Sequence, residues 1–168
     1  MIKFATMFIV LTLLQTLLLN HIFFMGYATP FLYIYFIIKL PVTTGRSVIL
    51  LLGFVLGLTI DIFCNTAGLN TVATTFAAFV RQPLQKRIFG MDNFDFLNLN
   101  VAALGDSFLK YAALMVLLHH AALILVETFS YNDAIMILLR ILASSVLTFS
   151  LIYALEGLSL KTGISGKK

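Results

Sequence analysis

The stretch GFVLGLTIDIFCNTAGLN (53–70), continuing through an apolar and small-residue run to RQP (81–83), decides how the rest of the chain is read. Gly53, Gly57, Asp61 and Asn65 recur every fourth residue, so on a helix they lie along one side. Glycines on such a face let a second helix approach closely. A carboxylate at membrane depth must face protein or water, not lipid. The stripe therefore points into a bundle, and what it meets there is the functional question.

The rest of the chain supports a membrane setting. Of 168 residues, 61% are apolar and 11% charged, against roughly 25% charged in soluble proteins, and the mean hydropathy is +1.04. Each crossing needs about 20 residues, which predicts one integral membrane domain over 1–168 with no separate soluble domain. The first apolar run follows Lys3 directly with no small-residue cleavage site behind it, which predicts a retained helix and not a removable signal peptide. The single cysteine, Cys64, reads as a packing residue. The net charge of +4 comes from basic residues beside apolar runs, which suits lipid headgroups and gives no support for nucleic-acid binding.

Six spans are predicted, at about 4–20, 30–40, 48–63, 69–80, 103–126 and 134–156. The second and fourth are short enough to be re-entrant taken alone. Charge supports them as crossings: all of the 11 basic residues except Arg140 then fall on one side, in the connections after the second and fourth spans and at the two ends. By the positive-inside rule both termini are cytoplasmic, and dropping either short span would scatter the charges. In the cytoplasmic connection at 81–105, Phe89, Phe94, Phe96, Leu97 and Leu99 are interleaved with Asp92, Asp95, Asn98 and Asn100. That segment reads either as interfacial or as a simple loop.

Asp61 has two readings, a proton or cation site or a partner for Arg140 in the sixth span. Intramembrane charges usually pair, so the expectation is an Asp61–Arg140 ion pair. Gly53 and Gly57 are matched by Thr71, Thr74, Thr75, Ala77 and Ala78 in the fourth span, which predicts a tight hairpin with Gly68 in its turn. His119 and His120 invite a metal reading, with Glu127 near the same face. Adjacent helical residues point about 100° apart, and zinc usually takes three or four protein ligands, so hydrogen-bonded neutral histidines are expected. Polar stripes at Thr12, Gln15, Thr16 and Asn20, and at Ser144, Ser145 and Thr148, can bond across helices or line a pocket. No catalytic signature is present, which predicts a protein that is not an enzyme and carries no cofactor or metal.

The run from Gly57 to Leu69, then 73–79 and Arg81-Gln82-Pro83, resembles the signature stretch of the rod shape-determining MreD family, with Gln82 where an Arg-Pro pair would be more familiar. The similarity extends to Gln15 and Asn20, Pro30-Phe31-Leu32-Tyr33, Leu40-Pro41, His119-His120, Glu127-Thr128-Phe129 and Ser144-Ser145. The resemblance implies an all-α, six-helix bundle like the substrate-binding subunits of energy-coupling-factor vitamin transporters. It further implies a noncatalytic component of the rod complex in the bacterial inner membrane. Such a component contacts MreC and, indirectly, MreB, RodA and a penicillin-binding transpeptidase. The other functions open to this architecture are vitamin capture and a small proton-coupled carrier built on Asp61.

Overall fold

A computed structural model describes residues 2–22, 28–90, 99–128 and 133–165, with side chains as far as Leu158. The described residues form helices and no strand element. The helices are α1 (Ile2–Leu17), α2 (Ile34–Lys39), α3 (Arg46–Cys64), α4 (Leu69–Phe89), α5 (Val101–Leu104), α6 (Asp106–Glu127) and α7 (Ala134–Ser165), with a short 3-10 turn at Leu19–His21 after α1. Most of the aromatic-rich segment after Phe89 lies outside the described residues.

Four helical stretches are long and apolar enough to cross a membrane: Ile2–His21, Arg46–Cys64, Asp106–Glu127 and Ala134–Leu158. The 19 residues of α3 span about 28 Å at a rise of 1.5 Å each, close to the roughly 30 Å of a bilayer core. Their outward faces carry large exposed side chains, such as Leu51, Phe54, Leu58 and Ile62 on α3 and Leu138, Leu142 and Val146 on α7. Apolar patches of that extent mark a membrane-facing surface.

The two segments that fall outside this set are those predicted as short spans, and each differs for its own reason. Helix α4 has 21 residues, long enough to cross, but it is polar on its inner side. Its buried residues are Asn70, Ala73, Thr74, Ala77, Ala78, Arg81 and Gln85, while Val72, Phe76 and Phe79 are exposed. The amphipathic pattern is inverted: polar and small residues meet α3 and α6, and apolar ones face out. The segment predicted as a span over 30–40 is not one helix. Only α2 is helical, six residues or about 9 Å long, and 29–31 are non-helical. Pro30 biases Thr29 toward extended backbone, and the N–H groups of Thr29, Phe31 and Leu32 bond to side chains of other elements instead of helical carbonyls. Tyr33, Ile34, Ile37 and Ile38 are fully buried, which places the segment inside the bundle.

Candidate functional site

The hairpin between α3 and α4 is built around the predicted stripe. Gly53 and Gly57 are buried against α4. A Cβ on Gly57 would sit 2.5 Å from the Thr71 Cα and 2.6 Å from the Asn70 carbonyl oxygen; one on Gly53 would sit 2.8 Å from the Ala78 Cβ. Only glycine allows this approach. One turn on, Asp61 is 4% exposed. Its Oδ1 accepts from the Asn70 backbone N–H at 3.1 Å, from Asn70 Nδ2 at 2.9 Å and from the Thr66 hydroxyl. Its Oδ2 accepts from the Thr71 backbone N–H at 2.8 Å and the Thr71 hydroxyl at 2.5 Å.

The N-cap position of α4 is Gly68, at φ +84°, which has no side chain with which to cap. Asp61 supplies the cap from the preceding helix, putting its negative charge at the positive end of α4. Asn65 ends α3 in the left-handed conformation and is exposed, so it forms the turn and does not extend the buried stripe.

Arg140 is not the partner of Asp61. Its Nη2 donates to both oxygens of Glu127, at 3.1 and 3.0 Å. The reason lies in donor supply: the hairpin turn saturates Asp61 locally, whereas Glu127 and Arg140 close the α6–α7 connection, both side chains about a third exposed.

The non-helical segment before α2 explains the polar stripes. Gln15 donates from Nε2 to the Pro30 carbonyl at 3.0 Å and accepts from the Leu32 N–H at 2.9 Å, pairing with the segment as a neighbouring strand would. The Thr29 N–H reaches Ser144 Oγ at 3.2 Å and the Phe31 N–H reaches Thr148 Oγ1 at 3.0 Å. Irregular backbone at membrane depth is tolerated where protein satisfies it, and α1 and α7 provide that service from opposite sides.

The histidines belong to the same network, which assigns their protons. Asn70 uses Nδ2 as a donor to Asp61 and Thr66, so its Oδ1 accepts the Tyr33 hydroxyl at 2.7 Å. With its one proton spent, the Tyr33 oxygen accepts from His119 Nε2 at 3.1 Å. His119 Nδ1 is then a buried acceptor, without a partner among the described residues. His120 donates from Nδ1 to the Val116 carbonyl at 2.8 Å and accepts the Thr148 hydroxyl at Nε2, 3.1 Å away. These bonds suit two neutral rings in opposite tautomers. Among the described residues no three His, Cys, Asp or Glu side chains cluster to hold a metal.

At the other end of the bundle, Arg81 is fully buried, although the sequence placed it with the basic residues flanking the spans. Its Nη2 donates to the carbonyls of Leu40 and Pro41, the latter at 3.3 Å, and so caps the C-terminus of α2. Beside it, Gln85 Nε2 donates to the Tyr111 hydroxyl at 3.2 Å. Sequence reasoning missed Glu156, which is 2% exposed. It accepts from the Tyr35 hydroxyl at 2.6 Å, Lys39 Nζ at 2.8 Å and the Val101 N–H at 3.2 Å, joining α7 to α2 and α5. The signal was available: Glu156 is a lone acid at the end of an apolar run, on the side where Lys39 was already placed.

Of the residues singled out, the structure thus brings together Gly53, Gly57, Asp61 and Gly68, and sets Arg81 and Arg140 in separate clusters. Compared with protein-family models, curated proteins and solved structures, the chain matches none.

Proposed function

We propose that this chain is a noncatalytic component of the rod complex in the bacterial inner membrane, a member of the MreD family that contacts MreC through its helices. Through MreC it would serve MreB filaments, RodA and a penicillin-binding transpeptidase in lateral wall synthesis. In this reading α4 and the segment containing α2 are crossings too, giving six, with both termini cytoplasmic and an arrangement like that of energy-coupling-factor binding subunits.

The observation that carries the reading is how the polar side chains are used. Asp61, Asn70, Gln15, Thr148, Arg81 and Glu156 are all buried, and each holds one element of the bundle to another. A carboxylate committed to five donors is a poor carrier of protons or ions. The route from Asp61 to Tyr33 also passes through the amide of Asn70, which is no proton shuttle. These points favour a scaffold over a proton-coupled carrier. The test is depletion in a rod-shaped host, with purification of the tagged chain. Rounded cells and recovered MreC are expected; normal rods with no MreC recovered would overturn the assignment.

A further inference from the structure

The end of the bundle where the α3–α4 and α6–α7 hairpins turn holds a cavity of about 180 Å³, its surface more apolar than polar, with Asn20, Asn70, Leu123, Glu127, Arg140 and Ser144 among its lining residues. At roughly 30 Å³ per water it has room for about six, the scale of an amino acid or a small headgroup.

Its chemistry is uneven in an informative way. On the inner wall, Asn70 is saturated by Asp61, Thr66 and Tyr33. On the outer wall, the Glu127–Arg140 pair is only half used. A guanidinium carries five N–H donors and a carboxylate about four acceptor sites, yet the two meet through Nη2 of Arg140 alone. Among the described residues, Nε and Nη1 of Arg140 have no partner and Glu127 accepts only from Arg140. Ser144 accepts from the Thr29 N–H at 3.2 Å, and its own proton is uncommitted among the described residues. With side chains 32% and 38% exposed, Arg140 and Glu127 stand at the mouth of the cavity.

We propose that this cavity binds a small zwitterion, its carboxylate or phosphate on the free edge of Arg140 with help from Ser144, and its ammonium on Glu127. A ligand with one net charge would leave a charge unbalanced beside the apolar wall formed by Leu123 and Ile124. A zwitterion brings a matched pair and adds none. Two sources offer this chemistry: a free amino-acid-like solute, and the headgroup of a zwitterionic phospholipid with its tails along the helices. The site stands on the cavity and the ion pair, independently of any role in the rod complex.

The test uses the full chain purified in detergent and in nanodiscs. Alanine, glycerophosphoethanolamine and inorganic phosphate are titrated calorimetrically into the detergent sample. Native mass spectrometry then records lipid retained from phosphatidylethanolamine and phosphatidylglycerol nanodiscs. Binding of the free zwitterions points to a solute, and selective retention of phosphatidylethanolamine points to a headgroup; either supports the site. In both cases Arg140→Gln and Glu127→Gln are expected to weaken binding at least tenfold, while Lys86→Ala, at the opposite end, leaves it unchanged. Should the first two variants fail to fold, Asn20→Leu decides, because it fills the cavity from the 3-10 turn after α1 and leaves the ion pair intact. The proposal is overturned if no zwitterion binds, if phosphate binds as well as glycerophosphoethanolamine, or if binding survives in the variants.

Discussion

Asp61 caps the helix that follows its own: its Oδ2 takes the Thr71 backbone N–H at 2.8 Å and the Thr71 hydroxyl at 2.5 Å, while Gly68 at the N-cap contributes no side chain. A feature that reads in the sequence as a possible ion site is, in the fold, the lock of a helical hairpin. The glycines below it set how closely the two helices lie, and the carboxylate sets where the second begins.

Gly57 should be the least replaceable residue of that hairpin. A methyl group there meets α4 backbone at 2.5 Å, whereas at Gly53 the nearest atom is the Ala78 Cβ at 2.8 Å. Overpacking usually costs about 1–3 kcal/mol. Gly57→Ala is expected at or above the top of that range and Gly53→Ala lower, measured by thermal unfolding in detergent. Equal, small losses at both positions would show that the helices can move apart freely.

The non-helical segment before α2 predicts that Gln15 and Thr148 matter more than their single bonds suggest. Gln15→Leu strands the Pro30 carbonyl and the Leu32 N–H; Thr148→Val strands the Phe31 N–H and His120 Nε2. Each stranded buried group costs about 1–3 kcal/mol. Both variants should unfold at lower temperature than Thr16→Val, whose hydroxyl bonds only within α1. Melting all three side by side settles the order.

Much of this was legible from the chain, and the part that was not has physical causes. The inward stripe of α3 and the small residues of α4 follow from period and residue size; Gly53, Gly57 and Asp61 are where the sequence puts them, whereas Asn65 leaves the stripe for the exposed turn. The Asp61–Arg140 pairing failed because depth and charge were matched without counting local donors: Asn70 and Thr71 lie nine and ten residues beyond Asp61 and reach it through the turn. Pro30 alone does not signal the break before α2, since a proline suits the first turn of a helix and Pro83 lies inside α4. Nothing local says that Gln15, 15 residues earlier in the chain, would repair it.

Buried Glu156 pairs with the partly exposed Lys39 at the end of the bundle opposite the hairpin turns. Removing Lys39 leaves the Glu156 charge buried, and breaking a buried pair in that way costs up to about 3–5 kcal/mol. Lys39→Met should therefore be severe, and adding Glu156→Gln should recover part of the loss. A double-mutant cycle by chemical denaturation tests this; a double mutant as unstable as the sum of the singles would show that the two residues are not coupled.

The proposed topology makes an independent prediction. In a Cys64→Ala background, a membrane-impermeant maleimide should label Ala67→Cys in intact cells, but Thr43→Cys and Lys86→Cys only after permeabilisation. Labelling of Thr43→Cys from outside would make the α2 segment re-entrant and the crossing number smaller than six.

The central claim is that the polar residues of this apolar chain are committed to holding the bundle, with Asp61 chief among them and independent of Arg140. The most direct measurement is the unfolding free energy of Asp61→Leu, Arg140→Leu and the double variant. Asp61→Leu is expected to cost at least about 3 kcal/mol, since hydrogen bonds to charged groups are worth roughly 1.5–3 kcal/mol each. Arg140→Leu should cost at most about 1 kcal/mol, as for exposed ion pairs, and the double variant should equal the sum within about 0.5 kcal/mol. If Arg140→Leu alone is strongly destabilising and Asp61→Leu relieves it, the two charges are partners and the account is wrong.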